Sequence, residues 1–166
     1  MLIDKVNPFL DWMETTWVNH LALGYTWSWP TCEILHFFGM SLLIGGLLVA
    51  DLRIIGFERV IPLSVVHKVL PYAVAGFVIN FTTGVIFFFG DPHRYSINIS
   101  FQLKMLCVLL AGINAVVYQF VIEPRMARRP PELGIPWSAR ICGVLSLGLW
   151  FAVLSFGRLI PYLGTG

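Results

Sequence analysis

His36, Lys104 and Arg158 are the residues whose chemistry most needs an account, because each stands inside a long apolar run. An imidazole can bind a metal or move a proton, and lysine and arginine can neutralise an anionic ligand. Ionisable groups inside membrane-spanning segments are costly and by default mark a functional site. If the runs are helices rising about 1.5 Å per residue, His36 lies roughly 9 Å below the start of its run at Pro30, and Lys104 lies at similar depth in a later run. Arg158 returns to the same layer from the last run. His93 and Arg94 stand above that layer, in the short connection from Asp91 to Asn98.

This set suits a b-type haem, which needs an imidazole for iron, an apolar slot between helices and cations near the membrane surface for two propionates. His36 is the expected axial ligand, with Phe37, Phe38, Gly39 and Met40 as a wall that leaves room for a flat ring. Arg158, Arg94 and Lys104 are the expected propionate partners. His93 is the first choice for a second iron ligand, so the metal ligands expected are His36 and His93. His20, Met105 and Lys104 are alternatives, and a five-coordinate iron is also open.

Copper is the competing cofactor. Cys32, His36 and Met40 recur every fourth residue and line one helix face, with Glu33 beside them, and thiolate, thioether and imidazole suit copper(I). Neighbours on one face are about 6 Å apart per turn, which makes them more a relay than a closed site. The plainest alternative gives His36 a hydrogen bond within the bundle, with Glu33 three residues earlier as its partner. His93, after Asp-Pro in a loop, needs no site role. Asp51, Arg53, Glu58, Arg59 and His67 lie at the inner ends of the first two runs, where salt bridges or caps account for them.

The elements that position these residues follow from composition. Of 166 residues, 57% are hydrophobic and only 12% charged, with a mean hydropathy of +0.78, against roughly 45–50% apolar and 25% charged in soluble domains. Four apolar runs, about residues 30–50, 67–90, 100–122 and 138–162, are each long enough to cross a bilayer. No soluble catalytic domain remains. The formal net charge of +2 is spread along membrane boundaries and excludes a nucleic-acid surface. Cys32, Cys107 and Cys142 form neither a CxxC nor a CxxCH pattern, so neither a disulfide framework nor covalent haem attachment is indicated.

Residues 1–29 form a separate segment, in which Asn7 and Pro8 start an amphipathic helix reaching Leu23 and the tryptophans suit the headgroup region. Residues 30–166 hold the spans. The expected fold is all-α: an integral membrane four-helix bundle with an N-terminal interfacial amphipathic helix. Seven basic residues (Arg53, Arg59, Lys68, Arg125, Arg128, Arg129, Arg140) lie toward one side and four (Lys5, Arg94, Lys104, Arg158) toward the other. By the positive-inside rule both termini face the periplasm of a bacterial inner membrane.

The stretches EILHFFGMSLLIGGLLVADLRIIG, HKVLPYAVAGFVINFTTGVIFFFG and FQLKMLCVLLAGINAVVY resemble a broad group of small four-helix bacterial membrane proteins. The group includes HemJ-type protoporphyrinogen oxidases, CopD-like copper-resistance domains and families of unassigned function, and the likeness is strongest to one of the last. In HemJ-type proteins a first-span histidine and a third-span lysine are the functional pair, and His36 and Lys104 stand in the matching motifs. The resemblance thus implies a haem or porphyrin site. CopD-like proteins imply periplasmic copper handling.

The functional expectation is a membrane b-type haem protein, an electron-transfer subunit between a periplasmic partner and the quinone pool. A copper-binding or copper-transporting protein and a cofactor-free anchor subunit of a larger complex are the alternatives. The expected partners are the lipid bilayer, protein subunits or further copies of the chain, and quinone.

Overall fold

The computed structural model describes residues 3–57, 62–130 and 133–163, with all of their side chains except those of 3–6, 63 and 64. Glu58, Arg59 and the Lys5 side chain lie outside the described set. In chain order the helices are α1 (Ile3–Glu14), α2 (Trp17–Leu23), α3 (Ser28–Ile55), α4 (Leu63–Gly90), α5 (Pro92–Ile97), α6 (Ile99–Val117), α7 (Glu123–Ala127) and α8 (Trp137–Leu159). Among the described residues there is no strand. Four helical stretches, Ser28–Ile55, Val65–Gly90, Ile99–Ala127 and Trp137–Leu159, are long and apolar enough to cross a membrane. The chain is an all-α, multi-pass membrane protein.

The expected single interfacial helix is two helices. Its break falls at Thr15 and Thr16, whose hydroxyls donate to Trp12 O and Met13 O at 2.7 and 2.6 Å. Such local bonds compete with the helical ladder. Thr16 also caps α2 by accepting from Asn19 N. α1 begins at Ile3, so Pro8 lies inside it rather than opening it. The connection after α4 is itself helical: Asp91 accepts from Arg94 N and Pro92, which has no N–H to leave unpaired, stands in the first turn of α5.

α6 does not stop at the expected boundary. It continues through one π-helical turn, Tyr118–Ile122, into α7. Pro124 explains the turn, since a proline cannot donate to the preceding turn and its ring crowds the carbonyl there.

α3 and α4 form a hairpin on small residues. A Cβ at Gly76 would lie 2.5 Å from Gly39 O, and one at Gly46 would lie 2.8 Å from Ala73 Cβ. The two backbones therefore touch, the close approach that small residues permit in membranes. α6 and α8 form a second hairpin, with Asn114 Nδ2 donating to Cys142 O at 3.0 Å. The hairpins join along a seam between α3 and α8, where Gly143 packs against Ile54, Ile55 and the Asp51 carbonyl. Where α4 ends and α6 begins, Phe88 stacks on Phe101 with ring centroids 5.4 Å apart.

Ile54, Ile122, Ala139 and Cys142 make a buried cluster at the end of the bundle where α3 stops and α8 starts, with Tyr118, Met126 and Ile135 against it. At the opposite end, Asn19 Nδ2 donates to Phe89 O at 2.8 Å and ties α2 to α4. Many large apolar side chains, among them Phe37, Phe38, Phe81 and Phe120, point outward. In a bilayer that surface faces lipid.

Candidate functional site

His36 stands on α3 with its Nδ1 2.7 Å from Thr83 Oγ1 on α4. The Phe87 ring meets the imidazole edge-on, with centroids 5.5 Å apart. Thr83 is buried, and its hydroxyl lies 2.8 Å from Ile79 O and 3.3 Å from Asn80 O. When its one proton goes to either carbonyl, Oγ1 accepts from His36, whose Nδ1 then carries the hydrogen. Nε2 is then the bare nitrogen of the neutral ring, the form in which histidine binds metals, and it makes no hydrogen bond among the described contacts.

Lys104 on α6 is half-buried. Its stem lies beside Gly157 of α8, where a Cβ would be 3.8 Å from Cδ. Its charge is close enough to act on His36. One residue beyond Thr83, a Cβ at Gly84 would meet nothing within 4 Å, so there is open space on α4 at the level of the histidine. One turn the other way, both amide atoms of Asn80 are buried without a hydrogen-bond partner among the described residues.

The other expected site residues have contacts of their own. His93 Nε2 is 2.9 Å from Asp11 Oδ1 and 3.9 Å from Glu14 Oε1, so its ring fastens α5 to α1. Arg94 is exposed. Arg158 is exposed too, lying over the Tyr162 ring at 5.5 Å. His20 and Met105, the alternative ligands, are exposed. Glu33 is not the partner of His36; it accepts from Trp29 Nε1 at 3.1 Å, one turn back on its own helix. Cys32 and Met40 are half-buried. Among the described residues, no three His, Cys, Asp or Glu side chains are grouped to hold a metal ion.

Just outside the spans, burial pushes the Tyr95 phenol above its ordinary value; Arg94 opposes the rise and Asp91 and Glu33 add to it. The sequence reading missed Thr83 and Asn80, two polar side chains within an apolar run. Their signal is the ridge Ala73, Gly76, Asn80, Thr83 and Phe87, spaced three and four apart as one helix face requires. Asp51, read as a boundary charge, is buried, because α3 runs on to Ile55 and ends only at Gly56, in the left-handed region at φ 93°.

The fold and this polar layer define a small multi-pass helical membrane protein with a histidine and a lysine held between its helices. The chain belongs to a family of unknown function, DUF6644, whose profile matches residues 9–163. Comparison with curated proteins and with solved structures finds no match.

Proposed function

We propose that the protein is a membrane b-type haem protein that passes single electrons between a periplasmic partner and the quinone pool. The observation that carries this reading is the state of His36. Its Nδ1 meets Thr83 Oγ1 at 2.7 Å, and in the tautomer where Nδ1–H donates there the bare Nε2 is left for iron, the arrangement in which a second hydrogen bond orients a ligating imidazole. With His93 engaged by Asp11, His36 is the one axial ligand the reading requires.

Bound haem supplies a one-electron iron couple. The chain does the rest. Thr83 holds the imidazole plane and makes it a better donor; Gly84 adds no side chain on α4 at this level, where a Cβ would meet nothing within 4 Å; Lys104 offers a positive charge to a propionate. Phe87 and the Phe88–Phe101 stack exclude water from the outer side. Arg94 and Arg158 are the surface cations of this scheme, in an inner membrane with both termini periplasmic. Protein subunits or further copies of the chain would cover part of the lipid-facing surface.

The test is a dithionite-reduced minus oxidised spectrum of the detergent-purified protein, with iron measured on the same sample. The expected result is a sharp b-type α band with about one iron per chain, lost in His36→Ala. A flat spectrum from folded protein overturns the haem reading.

A further inference from the structure

The inner end of the α3/α8 seam holds a carboxyl group that the haem reading does not use. Asp51 is only 6% exposed. Ser146 of α8, itself buried, stands beside its side chain, while Oδ2 is buried with no partner among the described residues. Gly143 lets α8 approach: a Cβ there would stand 3.3 Å from the Asp51 carbonyl.

No cation is bonded to this carboxyl among the described contacts. Tyr118, in the π turn after α6, and Cys142 of α8 stand within electrostatic reach of it. On α8, Arg140 has a buried Nε without a partner, and Glu123 at the start of α7 accepts from Gln119 at 2.8 Å. α4 brings His67 and Lys68 toward this level, both with exposed side chains.

An ionised carboxylate in such a place would be a buried charge without compensation. A metal ion would need about six oxygen ligands, and the seam offers one carboxyl and one hydroxyl. A proton needs a single oxygen, and one stands unpartnered.

We propose that Asp51 is a proton-binding site, taking a proton from the inner aqueous phase at neutral pH. One O–H bond forms at Oδ2, no bond breaks, and the group passes from carboxylate to neutral acid. The site lies toward the opposite end of α3 from His36 and stands independently of any cofactor there.

The deciding measurement is an infrared difference spectrum, wild type minus Asp51→Asn, of the full chain in lipid vesicles at neutral pH. The amide mimics the neutral acid in shape and charge, so the variant is expected to fold. The expected result is a carboxylic-acid carbonyl band in the wild type that is lost in the variant. The carboxylate bands in its place overturn the proposal. Dicyclohexylcarbodiimide, an apolar reagent that attacks protonated carboxyls, gives a second readout on the wild type: mass spectrometry is expected to find the adduct on Asp51 and not on Glu123. Protection of Asp51 by added sodium ions would assign the slot to a metal cation and overturn the proton assignment.

Discussion

His36 and Thr83 are 47 positions apart in the chain, yet their side chains meet at 2.7 Å across the α3/α4 hairpin. Valine at position 83 keeps the shape of threonine but removes the acceptor that holds the Nδ1–H. Loss of such an outer partner costs about 10–100-fold in metal affinity. Thr83→Val is therefore expected to weaken haem binding by that order while the chain still folds, read by haem titration of the apoprotein. Unchanged affinity would remove Thr83 from the site.

The hairpin itself rests on glycine. A side chain at Gly76 would run into Gly39 O and Leu43 N, both backbone atoms that cannot swing away. Gly76→Val is expected to destabilise the protein by at least the ~1–3 kcal/mol of an overpacked core, seen as a lower unfolding temperature in detergent. Gly45→Ala, where nothing lies within 4 Å of the new Cβ, should leave that temperature unchanged or raise it.

The four spans were legible because length and hydropathy alone require them, and Pro30, Gly90 and Pro136 mark turns that membrane helices respect. What reads less clearly is register. Asp51 and Arg53 look alike as boundary charges in the sequence, and the run of α3 to Ile55 together with the close approach of α8 at Gly143 makes one of them a buried group. Pro124 signals an ending, but the helix absorbs it as a π turn and carries on. His36 and Lys104 announce themselves as ionisable groups in apolar runs. Thr83 does not, since its meaning depends on a partner 47 residues away.

Asn98 binds the outer end together. Its Nδ2 donates to Ile160 O at 2.9 Å and also to Leu163 O, while its Oδ1 caps α6 by accepting from Phe101 N at 3.1 Å. Asn98→Ser keeps a capping oxygen and removes the amide donors without burying a charge; Asn98→Ala removes both. The loss of the cap is worth ~1 kcal/mol, and the stranded carbonyls about 1–3 kcal/mol. Alanine is expected to be the more destabilising, with the C-terminal turn becoming sensitive to protease in both variants. Equal stability of the two would refute the cap.

Tyr95 gives an alkaline signature. Burial raises its phenol above the ordinary value, so the folded state holds the proton more tightly than the unfolded chain. Its contribution is complete below the unfolded-state value of about 10 and is lost as pH rises through the folded value. Unfolding temperature in detergent is expected to fall on alkalinisation more steeply for wild type than for Tyr95→Phe. Parallel curves would show that Tyr95 ionises as freely in the fold as outside it.

The division into two hairpins also orders the assembly of the protein in its membrane. α3 and α4 follow one another in the chain and pair through their own glycines, so this hairpin can form as soon as both are inserted. Its partner surface arrives only with α8, the last of the four described spans in chain order. Until then Asp51 has no Ser146 to meet and faces lipid or headgroups. A chain cut short before Trp137 would thus leave a polar side chain stranded in the bilayer, the kind of defect by which membrane quality control tells an unfinished protein from a finished one.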